Sequence, residues 1–231
     1  MIALLHDDEA LLAVDKPAGL ATIPERNRAA DCLLARLAAG DVSGARGAPG
    51  EPRGRLLVVH RLDKDVSGVI VFAKTSAAHR ALCLQFERRE VRKTYIALVY
   101  GEVAADEGTI DAPLREFGSG RMSVDAARGK PSITTYRVLQ RLPSGFTLLE
   151  VSPLTGRRHQ IRAHLHHLGH PLVGDARYGA AGAAGRLMLH ALRLQVAHPV
   201  SGAPLVLQAP LPPELQDTAL VARGVPTAPD D

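Results

Sequence analysis

The chain has no tryptophan, and its rings, four Tyr and four Phe, make up only 3% of 231 residues. That excludes a nucleic-acid binder built on many stacking platforms. Cysteine is nearly missing. Cys32 and Cys83 are too few for a disulfide framework or a four-thiolate metal site, and their apolar helical contexts predict buried free thiols. No run approaches the roughly 18 apolar residues that span a bilayer. The start turns acidic at Asp7-Asp8-Glu9 without a basic segment, unlike a signal peptide. A cytoplasmic, membrane-free protein is expected. Lysine is also scarce, at 5 against 23 Arg, so the net charge of +4 is almost entirely arginine.

What is present is ordinary for a globular chain: 46% apolar and 23% charged residues. Such a chain buries enough surface to exclude general disorder. Its length suits one domain, or two small lobes sharing a core. Residues 10–14 read as a buried strand, followed by the turn signature Asp15-Lys16-Pro17-Ala18-Gly19. Residues 29–39 read as a short helix. The Gly-, Pro- and Arg-rich stretch 40–55 reads as a long loop, either mobile or RNA-contacting. Leu56 to Val59 and Val69 to Ala73 are predicted strands, and Thr75 or Ser76 caps a helix running to about Arg89. Thr94 to Tyr100 is rich in β-branched and aromatic residues, hence a strand. Tyr136 to Leu142 and Phe146 to Val151 flank Pro143-Ser144-Gly145 as a hairpin. Gly156 to Leu168 reads as a helix stopped by Gly169. Leu187 to Val196 and Leu205 to Gln208 are late strands, and a last short helix is expected from Pro212. Residues 224–231 form a loose tail. The class is α+β around one large, mixed, mostly antiparallel sheet flanked by helices and loops.

Two constellations carry charge. In the first, a buried strand empties into His60-Arg61-Leu62-Asp63, and Ser67-Gly68 leads into the next. A loop pinned at both ends is where catalytic groups tend to sit. Arg61 and Asp63 share a side if the backbone is extended. A plain solvated turn is the alternative. The second runs from Pro153 to Pro171. Ile161, Leu165 and Leu168 make an apolar helical stripe. Arg158, Arg162 and His166 make a basic stripe beside it. From Arg141 to Arg193 seven Arg face two acids, Glu150 and Asp175, a local +5 that leaves the rest of the chain at about −1. That reads as a phosphate-binding face. The five histidines of this run suit RNA contacts or structural roles. A zinc site is the disfavoured alternative: His166 and His170 are four apart, but His170 lies past the Gly169 stop, and there is no H-E-x-x-H signature or Cys cluster.

The motifs themselves resemble a known family. His60-Arg61-Leu62-Asp63-x-x-Val66-Ser67-Gly68 is similar to the H-R-L-D-x-x-T-S-G motif of the RluA family of pseudouridine synthases. Thr155 to Arg162, continuing through Gly169-His170-Pro171-Leu172-Val173-Gly174-Asp175, resembles that family's T-G-R-x-H-Q-I-R and G-H-P-L-x-G-D elements. Asp15 to Gly19, Lys93-Thr94-Tyr95, Leu189-His190-Ala191 and Ala209 to Pro212 resemble four further signatures, all in family order. The resemblance implies the pseudouridine synthase fold with a central RNA-binding cleft, as one catalytic domain over residues 1–223. It implies isomerisation of uridine in structured rRNA or tRNA needing neither cofactor nor metal; a monomer is the default expectation. It makes Asp63 the catalytic aspartate, Tyr95 the ring that stacks on the uracil, and Arg162 the ion-pair partner of Asp63. Ile161 would line the pocket and Arg61 would assist base extrusion. His60, Arg157, Arg158, His159 and Gln160 complete the implied RNA-binding set. Val66 departs from the usual Thr, losing a hydroxyl at a supporting position. The short form, without a preceding S4-like domain, resembles the RluA type proper.

Overall fold

The computed structural model describes residues 1–24, 31–43, 54–118, 120–143, 145–179 and 185–216. Most of the predicted loop, 44–53, and the predicted tail, 224–231, lie outside the described residues. In chain order the elements are β1 (Ile2–Asp7), β2 (Leu11–Lys16), α1 (Leu33–Ala38), β3 (Val42–Ser43), β4 (Leu57–Val58), β5 (Ser67–Ala73), α2 (Ser76–Glu87) and β6 (Arg92–Tyr100). There follow β7 (Glu107–Asp111), β8 (Leu114–Glu116), β9 (Met122–Val124), β10 (Ile133–Leu142), β11 (Phe146–Pro153), α3 (Gln160–His167), β12 (Leu189–Ala197), β13 (Pro204–Gln208) and α4 (Pro213–Gln216). The chain divides into two compact units, one of residues 1–92 and 191–210, the other of 93–190 and 211–231.

In the first unit the strand order is β3-β1-β2-β5-β12, with β13 on β12 and β4 on β5. The β1–β2, β2–β5, β4–β5 and β12–β13 pairings are antiparallel, and β1–β3 is parallel. All seven residues of β5 are buried, which is why its sequence is a continuous apolar run rather than an alternation. Thr75 caps α2 by accepting the Ala78 amide at 3.1 Å, and Ala78 and Leu82 bury that helix in a core with Leu11, Val69, Val71 and Leu194. The acidic start is a strand, β1. Its hairpin turn is closed by Asp8, whose Oδ1 accepts the Ala10 and Leu11 amides. His6 and His198 share its Oδ2 at 2.6 and 2.9 Å. Within the predicted 40–55 loop, Val42 and Ser43 pair with β1 as a strand. Cys32 is buried and accepts the Ala35 amide as the cap of α1, whereas Cys83 is only half-buried, 3.5 Å from His79 Nε2.

In the second unit β6, β11, β10 and β7 lie side by side in that order, each pair antiparallel, so the chain crosses from β6 to the far strand β7 before returning through β10 and β11. The predicted hairpin is β10–β11, with Gly145 at φ +77 in its turn. The short β8–β9 hairpin packs Leu114 and Met122 against Ala163 of α3 and Tyr178. The third helix starts later than its periodicity suggests. It begins at Gln160, not Gly156, and His159 before it is left-handed at φ 51. The reason is local: Gln160 Oε1 accepts the Thr155 hydroxyl at 2.7 Å and the Arg157 amide at 3.0 Å. That closes residues 155–159 into a turn.

Candidate active site

Asp63 is half-buried and sits on a loop whose backbone is held on every side. Leu62 O accepts the Thr22 hydroxyl at 2.9 Å, and the same oxygen of Thr22 accepts the Leu62 amide at 3.2 Å. Asp63 O accepts the Val66 amide at 3.2 Å. Lys64 O accepts Lys16 Nζ at 2.9 Å, and the same ammonium donates to Pro17 O and Leu20 O, both at 2.8 Å. Three consecutive carbonyls are thus occupied, and all three ammonium protons of a fully buried lysine are used. The Asp15-to-Gly19 element is therefore a brace for the Asp63 loop.

Before Asp63, His60 Nε2 accepts the Val71 amide at 3.1 Å, and its ring stacks on Phe86 with centroids 4.7 Å apart. Arg61 is exposed and Leu62 buried, as an extended backbone requires. After it, Gly68 stands at φ +113, where a Cβ would overlap the Ala191 backbone. Only glycine permits that approach.

In the second unit Tyr95 is half-buried on β6, opposite Val151 of β11. Two residues before it, Lys93 Nζ donates to Thr155 O at 3.1 Å. The K-x-Y strand is thereby tied to the start of the 155–159 turn. Gln160 is buried, and its amide donates to Ile133 O and Thr134 Oγ1. The Thr134 hydroxyl also meets His164 Nδ1 at 2.8 Å, and His164 Nε2 lies 2.9 Å from Ala112 O. A carbonyl accepts only, so Nε2 carries the hydrogen and Nδ1 accepts from Thr134. Burial holds the His164 pKa below its ordinary value. This polar chain is satisfied at each of these contacts, the condition on which polar groups are tolerated inside.

Arg162 is buried and faces Asp175 with a two-pronged pair, Nε to Oδ2 at 2.8 Å and Nη2 to Oδ1 at 2.7 Å. Burial raises the Asp175 pKa, but Arg162 and the Arg177 and Tyr178 amides outweigh it and hold the carboxyl below the usual range. Ile161 is buried beside Arg162. Arg157 is half-buried, with Nε 3.4 Å from Pro131 O. His159 Nδ1 lies 3.1 Å from the Tyr178 hydroxyl. Arg158, outside the helix, pairs with Glu116.

Two sequence expectations change here. Arg158, Arg162 and His166 do not form one outward basic stripe: the first precedes the helix, the second is buried, and only His166 is an exposed helical residue. The local +5 is also reduced in space. Arg141 pairs with Asp106, Arg158 with Glu116 and Arg186 with Glu214, acids from outside the counted stretch. Thr22, Thr134, His164 and Tyr178 have supporting roles that motif reading left unassigned. Their signal was faint, a lone polar residue such as Thr22 inside the apolar run Leu20-Ala21-Thr22-Ile23.

The chain matches the RNA pseudouridylate synthase family over residues 10–167. It is 41% identical over 210 residues to the dual-specificity RNA pseudouridine synthase RluA of Yersinia pestis, covering 87% of this chain and 95% of that protein. It is 37% identical to the protein of the same name from Escherichia coli, covering 90% and 93%. The solved structure of human RNA pseudouridylate synthase domain containing 4 superposes with a TM-score of 0.73 at 25% identity, over 97% of this chain and 95% of that one. The α+β architecture and the ordered motifs agree with these likenesses, and the chain belongs to the RNA pseudouridylate synthase family as an RluA-like enzyme.

Proposed function

We propose that this pseudouridine synthase isomerises specific uridines of structured rRNA or tRNA with Asp63 as the catalytic aspartate. The observation that carries the assignment is the loop: the carbonyls of residues 62, 63 and 64 are each engaged, by Thr22, the Val66 amide and Lys16. A carboxylate on so fixed a backbone is preorganised, and a fixed charge stabilises a transition state without reorganising. The reaction breaks the bond from N1 of uracil to C1′ and joins C5 to C1′. The proton lost from C5 is balanced by one gained at N1, so no second substrate enters. Asp63 acts at C1′, either by bonding to it covalently or by stabilising the positive charge that develops there.

Tyr95 is the ring assigned to the target uracil, and Arg162 the guanidinium that serves the aspartate. Ile161 lines the pocket. Arg61, exposed next to Asp63, assists extrusion of the base, and His60 with Arg157, Arg158, His159 and Gln160 belongs to the RNA-binding surface or its support. The reading takes residues 1–223 as one catalytic domain of a cytoplasmic monomer. No helix among the described residues is long and apolar enough to cross a membrane.

RNA carrying tritium at uridine C5 tests the assignment. Wild-type protein is expected to release tritium to water in proportion to the pseudouridine formed, and Asp63→Ala none. Equal release by both proteins would remove Asp63 from the chemistry.

A further inference from the structure

We propose that Asp175 and Tyr178 are positioning residues that aim Arg162 for the isomerisation. The proposal rests on the reading above that Arg162 serves the reaction. An arginine side chain has four rotatable bonds, and one acting at a reacting centre needs its guanidinium plane and direction set. Here the guanidinium has a carboxylate along one edge and an aromatic ring against it. Asp175 takes the Nε–Nη2 edge at 2.8 and 2.7 Å. Arg162 Cζ lies over the Tyr178 ring, 5.3 Å from its centroid. Side-on pairing of that edge directs Nη1 away from Asp175.

The two holders are themselves held. Asp175 is only 1% exposed, and its Oδ1 also accepts the Arg177 and Tyr178 amides at 2.9 and 3.1 Å. Gly174 before it stands at φ +76, packed against the Arg186 carbonyl where a Cβ has no room. The Tyr178 hydroxyl accepts the Met122 amide at 2.9 Å, and Arg121 lies on the same ring, 5.1 Å from its centroid. A buried ion pair is often no better for stability than well-packed apolar residues. A pair this completely braced is therefore better explained by direction than by stability.

Asp175→Asn keeps the volume but loses the charge and one acceptor, and turns an amide towards an arginine donor. With saturating enzyme, single-turnover isomerisation is expected to fall on the order of 10- to 100-fold, with RNA affinity changed less than about twofold. In an Arg162→Lys background, which lacks the two-pronged edge, Asp175→Asn is expected to cost less than about twofold more, because coupled residues are not additive. Tyr178→Leu should slow the same step, and Tyr178→Phe, which restores the ring face, should recover most of it even if stability is lower. This second pair decides the matter if Asp175→Asn does not fold. A folded Asp175→Asn or Tyr178→Leu protein that turns over at the wild-type rate overturns the proposal, as does an undiminished loss in the lysine background. An active Asp63→Ala would instead overturn the functional reading. An inert Asp63→Ala beside a normal Asp175→Asn would overturn only the positioning role.

Discussion

Replacing Lys16 by methionine tests the brace beneath Asp63. Methionine nearly matches the lysine stem in length and stays apolar, so the hole it leaves is small. What it removes is the ammonium, whose three protons go to Pro17 O, Leu20 O and Lys64 O at 2.8, 2.8 and 2.9 Å. The lysine is fully buried, so water does not readily replace it. Each orphaned acceptor costs about 1–2 kcal/mol, giving roughly 3–6 kcal/mol for three. Part of this is returned because the variant no longer desolvates a charge. A net loss of about 2–4 kcal/mol is expected, read from urea unfolding followed by circular dichroism. The folded fraction should also be slow in single-turnover isomerisation, since Lys64 O is released one residue from Asp63. A loss of stability below about 0.5 kcal/mol with a normal rate would show that the three carbonyls do not depend on Lys16, and the brace argument would fail.

Two further substitutions or titrations follow from the same geometry. Gly68→Ala places a Cβ into the Ala191 backbone at a φ of +113. A destabilisation of about 3 kcal/mol or more is expected, and an unchanged melting temperature would contradict the close approach. His164 has a folded pKa lowered chiefly by burial. The unfolded state therefore binds the proton first, and stability should fall as pH drops below about 6.5. Nitrogen NMR should show a neutral ring with its hydrogen on Nε2 at pH 6. A ring that titrates at or above the ordinary histidine value would refute the assigned polarity of the Thr134–His164 chain.

The order of strands and helices was largely legible, because apolar runs and capping residues act over a few neighbours. The continuous run in β5, the Thr75 cap of α2 and the turn between β10 and β11 all stand where local chemistry put them. Short elements were not legible. β1 is hidden by its acidic end, and β3 has two residues, paired to a strand some forty positions away. The start of α3 was misplaced because Gln160 spends its side chain on Thr155 and Arg157, a competition that hydrophobic periodicity does not register.

By itself the amino-acid sequence determined the family and its reaction class, because motifs such as His60 to Gly68 and Thr155 to Arg162 demand particular residue types at fixed spacing. Only the tertiary structure decided what surrounds those residues. It showed Lys16 and Thr22 gripping the Asp63 loop from forty or more residues away, and Asp175 and Tyr178 beside Arg162. It also broke up the apparent +5 stretch by bringing in Asp106, Glu116 and Glu214. The physical reason is the same in each case. Charge and hydrogen bonding act through a few ångströms of space, and residues at such distances are set by folding, not by their order along the chain.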